Sequence, residues 1–246
     1  MSGHDLTYLV IGALAGGFIN GLAGFGTALF ALGFFLTIMP ALEAVAITVV
    51  ISVVSGLQGL WIVRGSVARH PRRLARFLLP ALVGVPLGVA SLRSLDPAVL
   101  KLVIAFFLLL YGGFFSLRRT LPRIERPTPV IDCGVGFAAG LLGGAASLSG
   151  ALPTMWCSMR AWPKYETRAV LQPFNVMVLG LTAVVLAWNG AYHAQTMVHI
   201  AVALPTALIA AQVGIAVFKY LSDDAFRRLL IAVCFLSGCV LLIREL

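Results

Sequence analysis

The chain has 246 residues, 60% of them hydrophobic and only 11% charged, with a mean hydropathy of +1.00. That is far more apolar surface than a water-soluble domain of this length buries, so soluble classes are excluded and a bilayer is the expected solvent. The formal charge of +9 comes from bases in short loops between apolar segments, a distribution that orients membrane proteins, and no nucleic-acid partner is expected.

Apolar runs lie at about 6–39, 42–63, 77–92, 98–117, 130–159, 169–188, 196–218 and 225–243. Most reach the roughly 20 residues a spanning helix needs, which predicts an all-α polytopic membrane protein with membrane lipid as its surroundings. The short alternating segments of a β-barrel are not seen. The first run lacks a basic n-region and is too long for a signal h-region, so it reads as a structural segment. Within it, residues 17–33 are GFINGLAGFGTALFALG. The next loop, RGSVARHPRRLAR, carries Arg64, Arg69, Arg72, Arg73 and Arg76, and the central linker LRRTLPRIER carries Arg118, Arg119, Arg123 and Arg126. Both loops are expected in the cytoplasm.

The fifth run repeats the first. Residues 136–150 read GFAAGLLGGAASLSG, which puts Gly17, Gly21 and Gly24 on Gly136, Gly140 and Gly143, and 136 minus 17 is 119. Further matches place LPALVGVPLG (79–88) over LPTALIAAQVG (204–214) and LRSLDPAVLKLVI (92–104) over FKYLSDDAFRRLLI (218–231). Two homologous halves follow: a first transmembrane repeat over 1–120, a cytoplasmic linker over 121–129 and a second repeat over 130–246. In the second half the bases move, with Arg160, Lys164 and Arg168 before its second run and Lys219, Arg227 and Arg228 after its third, while NGAYHAQ (189–195) has no Lys or Arg. A swap of basic loops predicts halves of inverted topology, which requires an odd number of crossings per half; the alternative, eight single crossings, would put Arg160, Lys164, Lys219, Arg227 and Arg228 outside. The runs 6–39 and 130–159 are too long for one crossing, so each is expected to be a hairpin returning to its own side, either crossing twice or re-entrant, followed by three transmembrane helices.

The repeated glycine motif, the Pro after its second copy (Gly150-Ala151-Leu152-Pro153) and the Glu opening the next helix (Glu43-Ala44-Val45-Ala46; Glu166-Thr167-Arg168-Ala169) resemble the sulfite exporter TauE/SafE family, the 4-toluene sulfonate uptake permeases. The resemblance spans nearly the whole chain. The three-glycine run of the family reads Gly24-Phe25-Gly26-Thr27 and Gly143-Gly144-Ala145-Ala146 here, and the first copy lacks the Pro. What the resemblance implies is a bacterial inner-membrane carrier of sulfite or organosulfonates, coupled to the proton gradient.

The residues suit an anion independently. A helix interrupted at Gly24, Gly26 and Thr27, or between Gly143, Gly144 and Ser147, exposes backbone N–H groups and the positive end of a helix dipole, and Thr27, Ser147 and Ser149 add hydroxyl donors. The other reading of such glycines is close helix packing, favoured for Gly17, Gly21, Gly136 and Gly140. In ETRAVLQPFN, Arg168, Gln172 and Asn175 share one helix face, and Pro173 frees a carbonyl one turn back. Arg168 reads as an oxyanion clamp or as a base snorkelling to headgroups. The first half carries a stripe of the same spacing at Thr48, Ser52 and Ser55, with Gln58 nearby, and Ser52 is the repeat mate of Asn175, since 166 minus 43 is 123. Ser and Thr in such places also bond their own helix backbone.

Glu43 and Glu166 read as helix-start carboxylates that meet the dipole, and His193 and His199 as residues near the outer face, so no proton carrier is assigned. Cys133, Cys157, Cys234 and Cys239 lack metal or CxxC spacing, and no cofactor is expected. The expected function is a secondary transporter for a small sulfur oxyanion or organosulfonate working by alternating access. Alternatives are a carrier of another small organic anion and, with nothing visible to support it, a redox or assembly subunit. An enzyme is not expected, and a homodimer is compatible with the sequence.

Overall fold

In the computed structural model the described residues are 3–69, 71–92, 126–160 and 162–225, with isolated positions from 102 to 124 and from 228 to 242. They form α1 (Gly3–Ala23), α2 (Thr27–Phe35), α3 (Ala41–Arg69), α4 (Pro71–Leu92), α5 (Pro129–Ala146), α6 (Ala151–Ser158), α7 (Lys164–Trp188) and α8 (Ala194–Tyr220). Among the described residues the only bridge pairing is an isolated one between Ile124 and Arg160. Six helices are long and apolar enough to cross a bilayer, so the chain is a multi-pass, all-α membrane protein; in lipid, helices are the open-chain solution that satisfies every backbone group internally. The expected runs at 98–117 and 225–243, and the bases Arg118, Arg119, Arg123 and Arg227, fall largely outside the described residues. Within those runs Gly112 lies against Phe235.

Both long apolar runs are hairpins, as expected, with unequal arms. The return arms, α2 with 9 residues and α6 with 8, measure only about 12–14 Å at about 1.5 Å per residue, less than half a bilayer core. In the first hairpin Gly16 packs on Thr27 and Ala31, Gly12 packs on Phe34 and Phe35, and the Tyr8 and Phe34 rings sit 6.2 Å apart. In the second, Gly143 lies beside Ser149, and Trp156 Nε1 donates to Asp132 Oδ1 at 2.7 Å. Each short arm therefore runs back along its partner toward the end where the hairpin began.

Two glycine seams hold the long helices together. A Cβ added at Gly17 or Gly21 of α1 would lie 2.3 or 2.0 Å from the Ala207 or Ala211 carbonyl oxygen of α8. On the other seam, a Cβ at Gly136, Gly140 or Gly144 of α5 would meet the Phe77, Ala81 or Val85 carbonyl of α4 at 2.1 to 2.3 Å. These backbones touch because no side chain stands between them, and the packing reading of Gly17, Gly21, Gly136 and Gly140 holds. Gly214 sits on the Phe18 carbonyl as Gly84 sits on that of Phe137. The seam thus pairs Gly84 with Gly214 and Phe77 with Ala207, both 130 apart, one turn from the sequence match, which had put Gly88 over Gly214. Contact geometry, which the letters do not encode, sets the register.

The basic segments converge on one end of the bundle. Arg73 Nη1 pairs with Glu166 at 3.2 Å, Arg160 Nη2 with Asp132 at 3.2 Å, and Arg76 reaches Asp132 at 3.9 Å. Arg160 Nη1 also donates to the Arg126 carbonyl, and Lys164 Nζ to the Leu221 carbonyl at the end of α8. The start of α3 and the start of α8 mark the opposite end.

Candidate functional site

The first helix break is made by two glycines in the left-handed region, Gly24 at φ +86° and Gly26 at φ +95°. Gly24 N–H donates to the Asn20 carbonyl at 2.8 Å and closes α1, in a conformation that costs a side-chain-bearing residue strain. What remains at the end of α1 is a set of carbonyls without helical partners. Arg168 of α7 serves them, with Nη2 donating to Gly21 O at 2.8 Å and Nη1 to Leu22 O at 3.4 Å. Its Nε donates to Gln172 Oε1 at 3.2 Å, and the guanidinium lies 4.3 Å from the Phe218 ring centroid.

Arg168 is only 1% exposed, so the snorkelling reading is corrected: the side chain turns inward, because the α1 terminus offers it carbonyls and the negative end of a helix dipole that headgroups would otherwise supply. Among the described residues no carboxylate stands within ion-pair distance of it. Among the described residues its positive charge is held by neutral oxygens and an aromatic face.

Glycines on α3 make the room. A Cβ at Gly59 would lie 2.5 Å from Gln172 Oε1 and 2.8 Å from Arg168 Nη2, and one at Gly56 would lie 2.8 Å from Val176. Gln172 Nε2 donates to the Gly56 carbonyl at 2.9 Å. Its Oε1 would be 2.6 Å from a Cβ at Gly24, so the amide seals the break against α3.

Asn20 of α1, which the sequence reading did not single out, donates through Nδ2 to the Ser52 carbonyl at 3.0 Å and to Ser55 Oγ at 2.6 Å. An amide inside an apolar run and a glycine motif was the signal available for it. Ser55 and Thr48 also bond their own helix, to the Ile51 and Ala44 carbonyls, as the bland reading of these hydroxyls held. Ser52 enters the network through its backbone carbonyl.

The second break lies one turn later than the glycines suggest. Gly143 and Gly144 are inside α5, where Gly144 packs on Val85 and Gly143 faces Val178 and Ser149. The helix ends at Ser147, which takes φ 58° and ψ 22° while its N–H bonds the Gly143 carbonyl; Leu148 N–H reaches back to the Leu142 carbonyl at 3.1 Å. The bond from the left-handed residue to the Gly143 carbonyl is an αL closure, with a serine where glycine is the usual residue. A left-handed non-glycine residue is strained and has to be held by its surroundings. Ser149 Oγ bonds Asn175 Oδ1 of α7.

The breaks meet each other, since a Cβ at Gly150 would be 2.4 Å from the Phe25 side chain. Gly24, Gly26, Thr27, Arg168 and Gln172 thus gather at one break, Ser147, Ser149 and Asn175 at the other, and Phe25 joins them. Among the described residues three buried oxygens at or next to the breaks, Thr27 Oγ1, Ser147 Oγ and Asn20 Oδ1, have no hydrogen-bond partner. Buried polar oxygens left open in this way cost free energy and remain able to bond a further group. The arrangement supplies one buried cation, helix N-termini at α2 and α6, and free hydroxyls, which is the equipment for holding a small oxyanion.

No curated protein matches the chain. The model of the family described as sulfite exporter TauE/SafE matches residues 8–241, nearly the whole chain, and the protein belongs to that family of membrane transporters.

Proposed function

We propose that the protein is a secondary transporter of a sulfur oxyanion or small organosulfonate, sulfite being the simplest case, in a bacterial inner membrane, and that the anion binds where the two helix breaks meet. The observation that carries this reading is Arg168 at the first break, 1% exposed and with no carboxylate within ion-pair distance among the described residues; the buried hydroxyls of Thr27 at that break and Ser147 at the other have no hydrogen-bond partner among the described residues. A buried cation compensated only by dipoles attracts an anion strongly, and the hydroxyls supply directional bonds to its oxygens.

The two halves are taken to be inverted repeats. Support comes from the matching glycine seams, the matching short-armed hairpins and the gathering of bases at one end. Rocking of one half against the other then exposes the junction to each side in turn. The test is purified protein in liposomes given sulfite, small sulfonates and carboxylates of similar size. Uptake or exchange of a sulfur oxyanion in preference to carboxylates is expected, and movement of carboxylates alone would reassign the substrate class.

A further inference from the structure

At the end of the bundle away from the basic segments, Glu43 in the first turn of α3 and His199 near the start of α8 meet, with His199 Nδ1 2.8 Å from Glu43 Oε1. Both side chains are about nine-tenths buried. Gln195, one turn earlier on α8, places its Nε2 3.3 Å from His199 Nε2. The two ring nitrogens thus face a carboxylate on one side and an amide on the other, and the ring is charged only when protonated. The sequence reading had a capping glutamate and a solitary histidine; the fold makes them one unit.

A second bridge of the same kind stands at the other end. Glu166, in the first turn of α7, pairs with Arg73 near the start of α4 at 3.2 Å. Glu166 lies 123 residues after Glu43 and His199 lies 126 after Arg73, so both bridges tie the corresponding helices of opposite halves. They differ in chemistry. The Arg73 bridge is partly exposed, 36% for each side chain, and its cation is permanent. The His199 bridge is buried, and its basic partner is a histidine, which is charged only when protonated.

We propose that Glu43 and His199 form a proton-binding latch between α3 and α8, the coupling site of the transporter, with Arg73 and Glu166 as its fixed counterpart. The inference rests on the transport reading above. One proton taken from water at this end adds to His199 Nε2 and converts a neutral ring beside a carboxylate into an ion pair, while the Gln195 amide turns so that its carbonyl accepts the new N–H. The buried ion pair holds α3 to α8 more firmly, and loss of the proton loosens that end. Other titratable groups at this end have their own partners: Tyr192 OH donates to the Ala46 carbonyl, His193 meets Thr196, His4 pairs with Asp5 and Tyr8 packs on His4 and Phe34.

The test uses the full-length protein in nanodiscs with spin labels at the exposed Thr37, just before α3, and Val198 on α8. Pulsed EPR distances are taken from pH about 5.5 to about 8.5, a range that brackets histidine titration. The wild-type distribution is expected to narrow as pH falls. His199→Arg, which copies the permanent bridge, should be narrow throughout, and His199→Gln broad throughout. In liposomes the pH dependence of transport of a permanently ionised sulfonate, isethionate, should be lost in His199→Arg. A wild-type distribution that ignores pH, or one in His199→Gln that shifts as in the wild type, overturns the latch. A wild-type protein that neither binds nor moves any anion while its distances still respond to pH overturns the transport reading instead.

Discussion

Neutralising Arg168 is the perturbation that separates the roles of this residue. Its guanidinium bonds Gly21 O, Leu22 O and Gln172 Oε1, so three of its five N–H groups are occupied and its contribution to an anion at the junction is chiefly charge. For an anion about 6 Å away, an effective dielectric of about 20 gives roughly 3 kcal/mol of attraction, about a hundredfold in Kd. Arg168→Gln should weaken anion binding by about that factor. Arg168→Lys keeps the charge and should retain most of the affinity, yet it cannot fork across two successive carbonyls and should cost roughly 1–3 kcal/mol of stability through an unserved carbonyl at the α1 terminus. Calorimetric titration and thermal unfolding of the purified variants read the two effects separately. Unchanged affinity in a folded Arg168→Gln would refute the claim that this cation attracts the substrate, and an unaltered unfolding midpoint in Arg168→Lys would refute its service to the helix end.

Gly140→Leu, which drives a side chain onto the Ala81 carbonyl, should abolish the folded, monodisperse protein on size-exclusion chromatography, whereas Gly180→Ala, with nothing within 4 Å of the added Cβ, should leave it unchanged. Gly24→Ala forces a side chain into left-handed φ and against Gln172 Oε1, and should cost roughly 1–2 kcal/mol in stability together with a loss of anion affinity. In a cysteine-free background, Arg72→Cys and Ala194→Cys should react with an impermeant thiol reagent from opposite sides of the membrane; labelling of both from one side would exclude inverted halves.

The architecture was legible because lipid simplifies the code. Apolar length predicts spans, charge in loops predicts sidedness, and the structure gathers Arg73, Arg76, Arg126, Arg160 and Lys164 at one end. The hairpins were readable too, because a run of 30 or more residues is longer than one crossing. The exact place of the second break was not, because glycines serve two purposes. Gly136, Gly140 and Gly144 continue one packing seam at four-residue spacing, and a helix lined this way proceeds through its glycines until Ser147 turns it. Nor was the inward turn of Arg168 legible: its depth along the chain suits snorkelling, and only the fold brings the α1 terminus, 146 residues away in sequence, within reach. The pairing of Glu43 with His199, 156 residues apart, is hidden for the same reason.

The two breaks are built differently, and the difference predicts how the site divides its work. The first turns on glycines at no steric cost and brings the charge, through Arg168. The second turns on Ser147 at φ 58° and brings hydroxyls, one of them without a partner. A strained serine where glycine would fit is explained if its hydroxyl bonds the substrate, since the junction otherwise bears both the strain and an unsatisfied buried group. Ser147→Gly removes both, so it should stabilise the empty protein by about 1 kcal/mol while weakening anion binding by roughly 1.5–3 kcal/mol, the worth of one hydrogen bond to a charged acceptor. Charge attracts any small anion alike, whereas a fixed hydroxyl favours an acceptor geometry. Arg168→Gln should therefore lower sulfonate and carboxylate affinities in parallel, and Ser147→Gly should lower that for sulfonate more than that for carboxylate. Paired titrations with both anions decide it. A Ser147→Gly variant that is more stable and binds the sulfonate as well as before would leave the serine a relic of the turn and move the directional contacts to Thr27 and Ser149.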